Sequence, residues 1–485
     1  MNKSVSTTAG AILVLAVRWV DRLIGLVSTI ILARLLLPED FGVVAMASIV
    51  VGLIDVFLDF GVGITLVQNS KATQEDYDAA WTLRLLQSMA VAAIVFGSSW
   101  PAAAYFGDPR VTLVVQALSA AVLIGGLENI GIVSFQKNFE FGQEFKFFLI
   151  RRVCGFAITI AAAFLLKSYW ALVIGTLATK IAGVIGSYVM HDMRPKPNFQ
   201  RLHGMLSFST WNLLRSIGGY LSENLHRLLV GNREATKVMG AYTLSAEISA
   251  IPSTELLAPL NRVLFPLMVL VKDDPVKLKR AFFLSMGIQV MIGVPAAVGL
   301  ALIAPEVVAL LLGEQWSMVV PFIQIMGFIN IAGALNASPV YLFLTLGKAR
   351  ISAIHSWSQV LLLLVAVLLI VPGAGALQIS ELRLGVAVAG FFVMMFFVYR
   401  SFPAWSIMDM LATVWRPCTA SLVMAGVLLH LPDVSGYPLS LQVAFKIASG
   451  VMAYSLSLLV LWYFARSDDG AESYVLRKFG MMKGA

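Results

Sequence analysis

Residues 18–37 read Arg18-Trp19-Val20-Asp21-Arg22-Leu23-Ile24-Gly25-Leu26-Val27-Ser28-Thr29-Ile30-Ile31-Leu32-Ala33-Arg34-Leu35-Leu36-Leu37. They place charge inside a run long and apolar enough to cross a membrane. If the helix starts near Ala9 and rises ~1.5 Å per residue, Arg18 lies about 14 Å and Arg22 about 20 Å into a ~30 Å hydrocarbon layer. Arg18, Asp21 and Arg22 stand at i, i+3 and i+4, so they share one helix face, which continues through Gly25 and Thr29. Charge at that depth is too costly to face lipid, and the face is expected to look into a wet cavity.

The stretch has a second copy. Aligning Arg22 with Arg215 brings Ile24 onto Ile217, Gly25 onto Gly218, Leu32 onto Leu225, Arg34 onto Arg227 and Leu35-Leu36 onto Leu228-Leu229, seven matches in fifteen positions. Past a five-residue insertion Gly42 falls on Gly240. Shared apolar composition explains leucine on leucine, but not two arginines twelve residues apart, twice. Repeats of this kind in transporters put the substrate site between the halves.

With 485 residues, 59% hydrophobic and 13% charged, and a mean hydropathy of +0.84, the chain reads as a polytopic all-α membrane protein. Apolar runs give fourteen candidate spans, near 9–36, 40–66, 80–104, 111–135, 147–167, 170–190, 207–231, 238–270, 281–304, 319–345, 352–372, 383–400, 411–431 and 441–465. One set of loops carries most of the Lys and Arg, including Lys137, Lys146, Arg151, Arg152, Lys272, Lys277, Lys279 and Arg280. The opposite set holds six, Arg34, Arg110, Lys167, Arg233, Lys237 and Arg383. The positive-inside rule then predicts both termini in the cytoplasm, with the first span retained instead of cleaved as a signal peptide. The formal charge of +8 is scattered over short loops, a pattern that topology explains and nucleic-acid binding does not.

Several chemistries lack their residues. No loop exceeds about twenty residues, too few for a catalytic domain of ordinary size. There is no phosphate-binding glycine loop for ATP, the five histidines are scattered, and Cys154 and Cys418 both fall in apolar spans, so neither a metal site, a cofactor nor a disulfide is expected.

The remaining charges within spans are the candidate site. Asp55 and Asp59, at i and i+4, are too short to snorkel out of span 2, and either face the cavity or lock spans 1 and 2 together. Glu223 and Arg227 form a favourable i, i+4 pair, which leaves Arg215 as the better ligand. Span 8 carries Glu247, Glu255 and Arg262 among Pro252, Pro259 and Pro266, as a broken helix lining a cavity would. Arg84 and Lys446 lie near span ends, where snorkelling accounts for them, and Glu128 and Lys180 read as isolated mid-span charges.

The segment Ile30-Ile31-Leu32-Ala33-Arg34-Leu35-Leu36-Leu37-Pro38-Glu39-Asp40-Phe41-Gly42, followed by Asp59-Phe60-Gly61-Val62-Gly63, resembles the opening of polysaccharide flippases. These are the Wzx-like polysaccharide transporter branch of the multidrug/oligosaccharidyl-lipid/polysaccharide exporter superfamily. The resemblance implies two pseudo-symmetric six-helix lobes around a cationic cavity, residues 1–190 (spans 1–6) and 207–400 (spans 7–12). A cytoplasmic linker at 191–206 joins them, spans 13 and 14 (401–465) are peripheral, and a cytoplasmic tail takes 466–485. The implied cargo is an undecaprenyl-pyrophosphate-linked oligosaccharide flipped to the outer leaflet of the bacterial inner membrane. Membrane lipids surround the carrier, and polysaccharide polymerase and other assembly proteins are its implied partners. Basic residues on spans 1 and 7 match the family habit, so Arg18, Arg22, Arg215, Arg227 and Arg262 are expected to bind substrate, and Asp21, Asp55, Asp59, Glu247 and Glu255 to couple ions or line the cavity. A cation-coupled drug exporter of the same superfamily is the alternative, and a membrane enzyme such as a polymerase or ligase the more distant one. The linker, broken by Pro195 and Pro197, is expected to be the joint between lobes.

Overall fold

A computed structural model describes residues 3–58, 66, 72–138, 140–200, 202, 210–432, 434, 436–465 and 470–478. Side chains are described from Trp19 onward, except at 57, 58, 210–215, 258, 262, 263, 349 and 475–478. Asp59 and the side chains of Arg18, Arg215 and Arg262 therefore lie outside the described residues.

The described chain contains helices and connecting turns and no strand. Contacts divide it into two compact units, Met1–Gly240 and Ala241–Ala485. The first contains α1 (Lys3–Leu35), α2 (Pro38–Leu58), α3 (Gln74–Gly97), α4 (Ser99–Phe106), α5 (Arg110–Gly126), α6 (Val133–Lys137), α7 (Phe141–Leu166), α8 (Trp170–Met190) and α9 (Thr210–Arg233). Helix α10 (Thr236–Ser249) runs across the boundary. The second unit continues with α11 (Ala258–Leu270), α12 (Pro275–Leu302), α13 (Ala304–Leu311), α14 (Val320–Leu335), α15 (Ala337–Thr345), α16 (Ala349–Val365), α17 (Ala376–Ser401), α18 (Ile407–Leu429), α19 (Leu439–Ala465) and α20 (Ala471–Lys478).

Each of the fourteen expected spans meets a helix where it is described. Among the described residues nine helices are long and apolar enough to cross a membrane, or ten if the pair bent by 65° at the end of α5 is one span. Local chemistry sets the starts. Asp274 accepts from the backbone N–H groups of Val276 and Lys277 at 3.1 Å ahead of Pro275, and Ser406 accepts from Met408 N–H at 2.9 Å while Asp409 reaches back to Ser406 N–H at 2.8 Å. The proline-rich eighth span is broken as expected: α10 ends at Ser249, a π-helical turn covers Pro252–Leu257, and α11 resumes at Ala258.

In the first unit α7 packs against α1 and α8, α8 against α5, and α5 against α2 and α3. The α7–α8 contact is made by reciprocal notches. A Cβ on Gly155 of α7 would sit 2.0 Å from Thr179 Oγ1, and one on Gly175 of α8 would sit 1.8 Å from Thr159 Oγ1. Small residues are what allow helices to approach this closely where no hydrophobic force drives them together.

The first unit takes in one span more than the expected 1–190 lobe, because α9 packs on α2. Tyr220 Oη donates to Ile49 O at 2.8 Å over Gly52. At the far end of α9, Asn232 Nδ2 donates to Tyr105 O at 2.6 Å and Thr236 Oγ1 to Asp108 Oδ2 at 2.7 Å. Burial pushes the Asp108 carboxyl up, but the bonds from Arg110 and Thr236 outweigh it and hold the group below its ordinary range. Gly42 and Gly240, equivalent in the sequence repeat, meet here: a Cβ on Gly240 would lie 1.7 Å from Pro38 O and 2.9 Å from Gly42 N. Gly240→Leu should therefore lower stability by about 1–3 kcal/mol through overpacking, seen as a lower thermal midpoint in detergent.

The described part of the linker is tied down over its first half. Asn129 Nδ2 donates to Met193 O at 2.7 Å, Lys196 N–H to Asp78 Oδ1 at 3.0 Å, and Asn198 N–H to Thr82 Oγ1 at 2.8 Å. Residues 191–198 are thus a strap on the first unit, and a joint in the linker would have to lie beyond Asn198. His191 anchors the strap, its Nδ1 accepting from Met193 N–H at 3.0 Å and its Nε2 lying 3.0 Å from Ser134 Oγ. Burial outweighs the opposing pull of Asp192 and Glu140 and lowers its pKa below the ordinary 6.5. The folded strap thus holds the neutral ring, so its stability is complete above that ordinary value and is lost as pH falls through the lowered one. Hydrogen exchange at 191–198, corrected for intrinsic rate, should rise on acidification below pH ~6 in the native protein, and His191→Asn should flatten that rise.

Candidate functional site

The first unit gathers charges that the sequence scatters over five segments. Glu128 sits just past the end of α5, where Gly125 O, at a helix terminus, is open to a side chain. Its carboxylate is 6% exposed. Arg84, from the middle of α3, donates to Gly125 O at 3.2 Å and stands 3.5 Å from Glu128 Oε2. Arg151, ten residues into α7, approaches the same oxygen to 3.8 Å across Gly183 of α8. Lys180 of α8 lies over Gly125, its Nζ 3.6 Å from where a Cβ would be. One buried carboxylate is thus faced by three cations, and Asp55 of α2 is a second carboxylate within electrostatic reach of Lys180, so the cluster stays net positive.

Beside this cluster, on the next residue of α7, Arg152 turns to α1. Its Nε is 2.8 Å from Asp21 Oδ1, close but not aligned as a hydrogen bond, and its Nη2 lies over Gly25. Gly25 is needed there, since a Cβ would approach the guanidinium to 3.1 Å. The Arg18–Asp21–Arg22–Gly25 face read from the sequence is therefore met, at Asp21 and Gly25, by an arginine from another helix.

Arg84, Arg151 and Lys180 each lie about 15 Å from the start of their helix at 1.5 Å per residue, two to three turns inside helices of membrane-crossing length. The side chains of Arg84 and Arg151 are 31% and 33% exposed. Guanidinium at that depth is stable only against protein or water, so the exposed part faces a wet surface. Electrostatics there are strong, because little solvent screens them, and a planar guanidinium offers paired donors to phosphate oxygens.

Other expected site residues are placed as follows. Arg22 is half-buried on α1 and Asp55 exposed on α2. The Glu223–Arg227 pair does not form: Arg227 Nη1 reaches Asn224 Oδ1 at 3.4 Å, its buried Nε has no partner, and Glu223 is exposed. In the second unit Glu247 is exposed on α10, and Glu255 is half-buried in the π-helical turn, accepting from Thr254 Oγ1 at 3.0 Å. Lys446 is not a lone snorkelling side chain, for it pairs with Glu306 between α13 and α19. The sequence reading assigned Arg151 and Arg152 to a loop and Arg84 to the membrane surface, and held Glu128 and Lys180 as isolated mid-span candidates without joining them to these arginines; one carboxylate among several basic residues within spans was the available signal. No group of three or more His, Cys, Asp or Glu placed to hold a metal occurs among the described residues.

Among the described residues, helices of membrane-crossing length and composition with a partly exposed cationic cluster between them define a multi-pass membrane protein. Comparison with known proteins makes this specific: the chain belongs to the polysaccharide biosynthesis protein family, whose profile matches residues 31–321. It is similar to the lipopolysaccharide biosynthesis protein WzxC of Escherichia coli (strain K12), at 23% identity over 405 residues, 82% of each chain. Its fold is similar to that of the lipid II flippase MurJ in an inward closed conformation, with a TM-score of 0.76 at 12% identity over 94% of this chain and 100% of that one. An inward-facing multidrug transporter of the MATE family, in the MOP superfamily, superposes with a TM-score of 0.62 at 14% identity over 78% of this chain and 95% of that one.

Because Glu128 is the common partner of two buried-edge arginines, Glu128→Gln should cost about 3–5 kcal/mol of stability. Arg84→Gln or Arg151→Gln should each cost less, since the other cation remains. Thermal midpoints of the three purified variants give the comparison.

Proposed function

We propose that the chain flips lipid-linked oligosaccharide units across the bacterial inner membrane for polysaccharide export. The observation that carries this reading is the surplus of positive charge around Glu128, held by four segments of the first unit and partly exposed. A polyprenyl pyrophosphate is the part of such a cargo that needs positive charge inside a membrane, while its tails stay in lipid. Family membership and the flippase-like fold agree with it, and no catalytic domain is called for, so the protein acts as a carrier and not an enzyme.

On this reading both termini are cytoplasmic, and two lobes, 1–190 and 207–400, rock about the linker at 191–206, with spans 13 and 14 peripheral. Arg84, Arg151 and Lys180 bind the pyrophosphate together with Arg18, Arg22, Arg215, Arg227 and Arg262. Asp21, Asp55, Asp59, Glu247 and Glu255 line the path or couple an ion gradient. Polysaccharide polymerase and other assembly proteins take the flipped product. The superposition on a multidrug transporter favours a second reading, export of drugs. A net positive cavity repels cationic drugs, so the charge around Glu128 favours the first.

In a strain deleted for the gene, Arg84→Ala and Arg151→Ala should each lower surface polysaccharide at least ~10-fold, the scale of one lost charge-assisted contact, with normal amounts of protein in the membrane. Lysine at either site should restore part of it. Normal export by both alanine variants, or lost resistance to cationic drugs on deletion, would overturn the proposal.

A further inference from the structure

The second unit holds a polar pocket lined by none of the residues of the cluster around Glu128. Helices α12 and α18 wall it near their N-terminal ends, and Gly470 and α20 close it. Its volume is about 540 Å³, within the ~300–1,000 Å³ of ordinary ligand sites. Lys279, Arg280, Arg416, Asp409 and Glu472 line it, with Phe283 and Leu284 among its apolar residues.

The α20 side of the pocket is built in, not laid over the surface. Ala471, Glu472 and Ser473 are buried, Trp462 Nε1 of α19 donates to Ser473 Oγ at 2.8 Å, and Ala471 joins a core with Leu264 and Ile288. A Cβ at Gly470 would lie 2.7 Å from Glu472 Oε2 and 3.0 Å from Arg416 Nη2, so only glycine lets the chain pass.

Two pairs line the site, and they differ. Lys279 Nζ meets Asp409 Oδ2 at 2.7 Å near the rim. Arg416 is 4% exposed and meets Glu472 through one contact only, Nη2 to Oε2 at 3.3 Å. Its Nε and Nη1, and Glu472 Oε1, are buried without a hydrogen-bond partner. Buried polar groups of folded proteins are nearly always satisfied, and a set of unfilled donors beside an unfilled acceptor marks the place of a missing partner.

We propose that this pocket binds the head group of an anionic phospholipid, a phosphodiester whose far end donates a hydrogen bond, as in phosphatidylglycerol. The phosphate oxygens accept from Arg416 Nε and Nη1, with Arg280 also lining the pocket, and a head-group hydroxyl donates to Glu472 Oε1. The pocket lies at the ends of two membrane-crossing helices, within reach of a lipid whose acyl chains remain in the bilayer.

The test uses the full-length protein in nanodiscs of phosphatidylcholine with added phosphatidylglycerol, phosphatidylethanolamine or neither, and in detergent with inorganic phosphate. Native mass spectrometry should show phosphatidylglycerol retained at least ~10-fold over phosphatidylcholine, and the thermal midpoint should rise with it. Arg416→Gln alone strands a buried carboxylate, so the double change Arg416→Gln with Glu472→Gln is the main variant and Arg280→Gln, at an exposed position, the second. The double variant should lose the preference and Arg280→Gln should reduce it. Equal retention of all lipids by the native protein, or an unchanged preference in both variants, would overturn the site. Stabilisation by inorganic phosphate equal to that by the lipid would overturn the lipid assignment in favour of a soluble anion.

Discussion

A charged group in the middle of a bilayer needs a partner or water, and this requirement arranges the first unit. Glu128 could not be buried alone, and Arg84 and Arg151 could not stand inside membrane-crossing helices facing lipid. Once three cations converge on one carboxylate, the helices bearing them must pack around a common point and leave an aqueous face for the charge that remains. The glycines at 25, 125 and 183 follow from this, because each lies where a long basic side chain has to pass against a neighbouring backbone. Packing, polarity and transport are therefore consequences of the same electrostatic demand.

Much of the fold was legible because hydropathy reports helices directly. The break in the eighth span was also legible, since prolines at 252, 259 and 266 forbid a continuous hydrogen-bond ladder. What failed was the placing of charge. Arg151 and Arg152 follow polar residues, so an apolar window begins the span at 147, whereas the helix starts at Phe141 and carries both arginines about two to three turns inside. Glu223 and Arg227 have ideal spacing on one helix, yet Arg227 is drawn to Asn224. Spacing says which side chains can meet along one helix, and nothing about partners on another. The Arg84–Glu128–Arg151 group joins residues far apart in sequence, and no periodicity encodes it.

The meeting of Gly42 with Gly240 gives the sequence repeat a physical sense. A Cβ on either glycine would collide with the opposite backbone, so the repeat marks a crossing point where no side chain fits. Asp108, Asn232 and Thr236 fasten the same end of the unit with hydrogen bonds.

The reciprocal notches of α7 and α8 carry a mechanical consequence. Two helices keyed into each other at two heights, Gly155 against Thr179 and Gly175 against Thr159, resist both sliding and rolling, and behave as a single beam. Arg151, Arg152 and Lys180 are all mounted on that beam. The stretches of backbone that bear them are thus fixed with respect to each other, and a change in the cluster around Glu128 would have to come from the groups mounted elsewhere, Arg84 and Glu128.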